Sequence, residues 1–457
     1  CIVVSGTLNI TSTEDGIIGK DLCGVVAGDI NINAGSDGIK STYDTDTTKG
    51  NVIIEGGNIT IKASNDGIQA ENILVINDGT INIKTNNGAA DTTQTHTDNM
   101  YMGRGGFGFN NNKTTTTTDD TVESRKGIKA GNMLIINDGD ITIDSDDDSV
   151  HCNSEIYIYG GTINAATGDD GVHADDLLTV NGGTINITQC YEGIEADDIV
   201  INDGDISVVS SDDGINSSDV SITINGGNLL INASGDGLDA NGSIIINGGY
   251  IVVLGPTSDG DTAIDYDDSC TINGGTVMAF GSSGMLEIPK GASNGACIVT
   301  AFTSVSGGSK YTLSDSNGNE ILSYTPSKAY AAAIVYSDKI TTGNTYDITA
   351  GSTTLSIEVT SDVTSNVSSG LGKAGGMNMP GNGGSGMPNN GSSDNGMNGN
   401  SNGSMPDMSG NGAPDMNGNS SGDMPSMGGN SSNNSGNMPN MNNGSSNGNA
   451  PQMNNRM

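Results

Sequence analysis

Apolar and polar residues alternate with period two in short bursts along this chain. Ile59 and Ile61, Ile81 and Ile83, Ile141 and Ile143, Ile185 and Ile187, and Ile251 and Val253 mark five of them. Thr60, Asn82, Thr142, Asn186 and Val252 sit between the pairs. Such alternation predicts strands with one face turned to a core. Each burst follows a turn that reads NGG, NDG or, before Ile59, EGG, and a second short apolar run precedes the turn, as in "ILVIN", "MLIIN", "LLTVN" and "SIIIN".

The turn glycines set the period. They fall at Gly6, Gly28, Gly57, Gly79, Gly139, Gly161, Gly183, Gly204, Gly227, Gly249 and Gly275, and most steps are 21 to 23 residues. A strand–turn–strand unit of this size cannot bury its own apolar face, so stacked units are required. The prediction is an all-β, right-handed parallel β-helix over 1–280 with coils of about 22 residues. Calcium solenoids that repeat GGxGxD about every nine residues are excluded by this longer period.

Two long steps interrupt the repeat. One contains "STYDTDTTK"; the other contains a low-complexity insertion at 86–125. After Gly275 the pattern gives way to runs such as "ACIVTAFTSV" and "YAAAIVYSD". They predict a small antiparallel β cap over 281–364. The remaining 365–457 is rich in Gly, Asn, Ser, Met and Pro, a composition that predicts a disordered tail or extended spacer. Its irregular Met spacing and lack of His argue against a copper site.

Composition narrows the function. The chain has 54 acidic and 16 basic residues among 457, no Trp, and a formal charge of −38. That balance excludes nucleic acid as a partner, because phosphate contacts need Lys and Arg. It suits cation binding. The six cysteines show no CxxC spacing. Cys1, Cys23 and Cys270 fall in the inward column occupied elsewhere by Leu74, Leu134 and Ile156, and read as small core residues. Cys1 and Cys23 would stack one strand apart, within disulfide reach. A lipid-bearing Cys1 is disfavoured by its place inside the first repeat. The chain reads as beginning within the solenoid.

The acids recur in register. A D-G-I-x-A motif carries Asp15, Asp37, Asp66, Asp170, Asp213 and Asp236, with Glu192 as variant and Asp148 followed by Ser149. Three residues on stands a second column: Gln69, Lys129, His151, His173, Glu195, Asn216 and Asp239, continued by Asp265. Coils about 4.8 Å apart would stack like charges. Such carboxylates splay into water, hold protons, or share a hard cation. Asp-Gly is also an ordinary turn pair. That plain reading does not cover Glu192, Asp212, Asp239 or the doubled Asp169–Asp170. Calcium is therefore placed among Asp148, Asp169, Asp170, Glu192, Glu195, Asp212, Asp213, Asp236 and Asp239, with Asp146 and Asp147 beside them. His151 and His173 read as wall residues that contact ligand, since a zinc site wants a closed tetrahedral set.

Taken in order, "DGIKSTYDTDTTKGNVIIEGGNITI", "SRKGIKAG", "DDGVHADD", "YEGIEADDI", "GDGLDANGSI" and "TLSDSNGNEILSYTPSKAY" resemble the clostridial carbohydrate-binding β-helix family, whose members are similar to family nine pectate lyases. The resemblance covers roughly 1–351. It implies a calcium-holding β-helix, extracellular or on the cell surface. The implied partner is an acidic plant cell-wall polysaccharide such as polygalacturonate, with cellulose a further expectation. Calcium with open coordination positions would bridge the acidic face to sugar carboxylates. Lys126, Lys129 and Lys40 would add local positive charge.

Two other readings stand beside this one. In a polysaccharide lyase, Lys129 would abstract the proton α to the uronate carboxylate, with Lys126 and Arg125 as alternatives. Lys129 lies three coils from Glu195, roughly 14 Å along the axis. No Lys or Arg occurs between Lys129 and Lys290, which favours binding over catalysis. In a structural alternative, solenoids stack end to end into a surface fibre through the uncapped first coil.

Overall fold

The computed structural model describes residues 1–89 and 124–367. Most of the 86–125 insertion and of the 365–457 tail lie outside them. Every described element is a strand. The repeat forms a parallel β-solenoid. All eleven aligned turn glycines have positive φ, from 81° at Gly161 to 131° at Gly79, a region other residues rarely enter.

Most coils contribute three strands, where the sequence pattern predicted two; in two coils the first two run together as Ile194–Ile201 and Ile215–Ile224. In one coil the three are Val172–Ala174, Leu177–Val180 and Thr184–Cys190. The first two types merge into one 20-stranded sheet, and the third, with three strands from beyond the solenoid, builds a 14-stranded sheet. The additional three-residue strand carries the I-x-A of the acidic motif. Its single outward residue forms the second column, in register from Lys40 and Gln69 through Lys129, His151, His173, Glu195, Asn216 and Asp239 to Asp265.

Inward positions hold one continuous row of Ile, Leu, Val, Ala and Cys. Cys23 and Cys270 are buried in that row, Cys1 is exposed, and all six thiols are free. The Cys1–Cys23 disulfide is therefore not formed. Burial pushes the Cys152 thiol up to about 11 and Cys270 up to about 12. Both remain protonated at neutral pH, which fits a packing role.

At the far end the strand Tyr330–Ser337 pairs antiparallel with Thr276–Gly281, the last solenoid strand of the 14-stranded sheet. Ala296–Val305 then pairs antiparallel with Tyr330–Ser337. A separate four-stranded antiparallel sheet spans Tyr311–Glu358. Phe280, Tyr311, Tyr330 and Leu313 form the second core beneath it. The cap closes the sheet edge that parallel stacking would leave open.

The glycines of the acidic motif have a different task from the turn glycines. None has positive φ. A Cβ on Gly171 would lie 2.4 Å from Ile187 Cδ1 and 2.5 Å from the Gly193 carbonyl oxygen. Gly38, Gly67, Gly127 and Gly214 are crowded in the same way by Ile61, Ile83, Ile143 and Ile231. Two coils carry another residue at this position, Ala263 and Ser149. Ser149 replaces glycine in the one coil where Ala165 stands in register between Ile143 and Ile187. The missing Ile branch makes room for the Ser149 side chain, whose hydroxyl lies 3.2 Å from Ser145 Oγ. Ala165→Ile should therefore overpack the coil by about 1–3 kcal/mol. Adding Ser149→Gly should recover most of that loss. Urea unfolding of both single variants and the double variant reads the coupling; strictly additive effects would refute it.

Candidate functional site

The acidic column begins as a backbone device. Wherever the motif acid is aspartate it accepts, on Oδ1, the backbone N–H of the same position one coil later; Lys126 and Glu192 hold that position in two coils. Asp37 N donates to Asp15 Oδ1 at 3.1 Å, Asp66 N to Asp37 at 3.0 Å, and Lys126 N to Asp66 at 2.8 Å. Asp170 N donates to Asp148 at 3.1 Å, Glu192 N to Asp170 at 3.3 Å, and Asp236 N to Asp213 at 2.6 Å. Thr262 N completes the series on Asp236 Oδ1. A buried amide without an acceptor is costly, and a carboxylate is a strong one. This ladder uses one oxygen of each aspartate and leaves the other to face its neighbours.

Those second oxygens converge in two groups. In the first, Lys126 Nζ lies 2.9 Å from Asp147 Oδ1 and also pairs with Asp148 Oδ2. Asp148 Oδ2 is 2.8 Å from His151 Nδ1 and 3.8 Å from His173 Nδ1. His173 Nδ1 is in turn 3.3 Å from Asp170 and 3.6 Å from Glu195. The imidazoles meet edge to face, 4.9 Å between centroids. Burial opposes the Asp148 charge, but Lys126, His151 and His173 outweigh it and hold the carboxyl well below its usual range. Burial also opposes the His173 charge, yet Asp170, Asp148 and Glu195 raise that imidazole to about 10.

Acids around this basic centre are pushed the other way. Burial, then Asp170, Asp148 and Asp147, raise Asp169 to about 8. Burial, then Glu195 and Asp170, raise Glu192 to about 9. Burial raises Glu195 to about 7 against the pull of His173. Asn216 Nδ2 donates to Glu192 Oε2 at 2.8 Å and marks the boundary with the second group.

The second group is Asp213, Asp236 and Asp239. Each offers an oxygen within 4.8 Å of the others. Burial, then Asp239 and Asp212, raise Asp213 to about 8. Asp236 rises to about 9, with burial first and Asp213 and Asp239 adding to it against the Thr262 amide. The charges acting on these two carboxyls are all negative. A side chain on Gly235 would lie 2.4 Å from Asp213 Oδ1 and 2.5 Å from Asp212 Oδ1, so glycine keeps the approach to both clear.

Chemically the groups differ. The second supplies only oxygens, the donor set of a hard cation that needs six to eight of them and takes the rest from water or ligand. The first mixes imidazole with carboxylate, and an ammonium already occupies its centre. Lys129 lies apart from both, with Nζ 3.2 Å from Ser124 Oγ and 4.0 Å from Asp66 Oδ2. Lys40 pairs with Asp37 at 2.7 Å, and Arg125 with Asp146 at 2.7 Å.

Thus Asp148, Asp169, Asp170, Glu192 and Glu195 gather around Lys126, His151 and His173, while Asp213, Asp236 and Asp239 gather two coils on. Asp212 stands at the edge of the latter. Sequence reasoning overlooked Asp261, whose carboxyl is raised by burial, then by Asp212 and Asp265. Its coil reads "TAIDY" where others read D-G-I-x-A, so Thr262 fills the motif position and Asp261 lies one residue before it.

No curated protein and no solved structure matches the chain. The family described as carbohydrate-binding domain-containing protein matches residues 1–171 and, consecutively, 169–358. These matches span most of the sequence and the whole acidic column, so the chain belongs to that carbohydrate-binding domain family.

Proposed function

We propose that the protein is an extracellular, calcium-dependent binder of acidic plant cell-wall polysaccharide of the polygalacturonate class. The observation that carries this reading is the Asp213–Asp236–Asp239 group: three converging carboxylates, partly open to solvent, whose named charged neighbours are all acids. Family membership supports a carbohydrate as the partner. A chain of charge −38 repels a uronate polymer unless a cation lies between them. Calcium held by Asp213, Asp236 and Asp239 would keep positions for sugar carboxylates. Polymers of this kind lie outside the cell, and so would their binder.

Polygalacturonate binding should be saturable in calcium and fall at least tenfold in chelator. Asp239→Asn should weaken it by a similar factor at limiting calcium, because one anionic ligand is lost. Absorbance of unsaturated product should stay flat throughout, since Lys129 is engaged near Ser124 and Asp66 rather than beside the carboxylate groups. Binding that is indifferent to chelator would overturn the bridging role. Product that disappears in Lys129→Ala would make the protein a lyase.

A further inference from the structure

One coil departs from the repeat on its outer face alone. In "EIYIY", residues 155–159, the inward Ile156 and Ile158 follow the pattern and are fully buried. The two outward tyrosines break it, and Glu155 is an acid between two apolar neighbours in a column that also holds Asp198 two coils on. Glu155 stands in register between Met133 and Leu177, and Tyr157 between Ile135 and Thr179. Tyr159 stands where the flanking coils have Asn137 and Asn181.

That last exchange has a structural cost. Exposed asparagines at this position form a side-chain ladder up the solenoid. Asn137 donates to Asn77 at 2.7 Å, Asn202 to Asn181 at 2.8 Å, Asn225 to Asn202 at 2.8 Å, and Asn247 to Asn225 at 2.9 Å. Tyr159 interrupts the ladder and places a half-exposed ring (52%) on the surface instead. Its ring is near-parallel to that of Tyr157, at 15° with centroids 6.5 Å apart. The Tyr157 hydroxyl donates to Glu155 Oε2 at 2.9 Å, which fixes the ring. The substitutions are thus coordinated: two aligned aromatics and a carboxylate that orients one of them.

We infer that Glu155, Tyr157 and Tyr159 form a second sugar site, one that packs the apolar face of an uncharged pyranose chain against two aromatic rings without a metal. A gluco-configured β-linked chain presents flat C–H faces bounded by equatorial hydroxyls. Tyr rings match such faces because each offers a large apolar body with a polar tip. Glu155 accepts hydrogen bonds from sugar hydroxyls. The same carboxylate, within a chain of charge −38, disfavours a uronate here. Membership of a carbohydrate-binding domain family makes a sugar, rather than a protein, the occupant.

The test uses cellohexaose in chelator, read by titration calorimetry and by tyrosine emission, which no Trp obscures. Wild-type protein should bind under these conditions. Tyr159→Asn should weaken binding at least tenfold while leaving the thermal midpoint unchanged or higher, because it restores the asparagine ladder. Lack of binding by the wild-type protein, or equal affinity in Tyr159→Asn, would overturn the site. Polygalacturonate binding does not enter the assay, so the two readings fail separately.

Discussion

In chelator, the protein should lose stability as the pH rises from about 4 to about 9, and calcium should abolish most of that loss. Asp169, Asp213, Asp236 and Glu192 ordinarily titrate near 3.8 or 4.5, and in the fold they titrate at about 8 or 9. The folded chain therefore binds more protons than the unfolded chain between those limits. Stability is fully present below the unfolded value and declines as the pH climbs through the folded value. His173 acts in the same direction, since its raised value adds stability below about 6.5 that is lost as the pH rises through about 10. Asp148, held low, contributes a constant amount across this window.

One carboxyl titrating across two pH units of the window changes stability by about 2.7 kcal/mol. For a domain of this size that is roughly 4 °C in the melting midpoint. Calcium bound as proposed would supply positive charge where protons otherwise do, and flatten the curve. Circular-dichroism melts at several pH values, with chelator and with calcium, measure both effects. A midpoint that climbs with pH in chelator would show that the carboxylates are ionised and well solvated.

Replacing Lys126 should be the most damaging single change to this face. Its ammonium is 14% exposed and serves Asp147 and Asp148, the latter 2% exposed. Lys126→Met keeps the apolar stem and removes the charge. It leaves a buried carboxylate without its main partner, at a cost of about 3–5 kcal/mol. The backbone bond from residue 126 to Asp66 Oδ1 survives, so the loss reports the ammonium alone. Calcium at a hundred times its dissociation constant would return about 2.7 kcal/mol. Urea unfolding in chelator and in calcium distinguishes these states. A loss under 1 kcal/mol in chelator would mean that the Asp148 charge is relieved by His151 and His173 without help.

The coil period was legible because it rests on two local requirements, positive φ at the turn glycine and alternation in the strand after it. The register of Gln69 through Asp239 followed from the same count. The third strand was hidden: I-x-A is too short for a periodic signal, and its Asp-Gly prefix mimics a turn. Only the fold shows that this glycine makes room for an Ile branch and that the aspartate holds an amide of the next coil. Partition of the acids into two groups was equally hidden. It depends on one Lys126 side chain reaching forward to Asp147 and Asp148, a choice of rotamer that spacing does not encode. Glu155, Tyr157 and Tyr159 were visible as letters, but their meaning required the asparagine ladder against which they are exceptions.

The hydrogen bonds of the aspartate ladder all run one way: each coil offers the acceptor, and the coil after it in sequence brings the donor. The two ends of the stack are therefore inequivalent. Trimming coils from the start leaves an amide bare, whereas trimming from the other end leaves a carboxylate, which water solvates far more readily. Where the motif acid is aspartate, the last coil of a shortened stack displays a hydrated acceptor, beside the motif-glycine amide that donates to a carbonyl of the next coil. The column proposed to gather cations is thus also a seam with a direction, in which each aspartate coil ties down the coil that follows it in sequence.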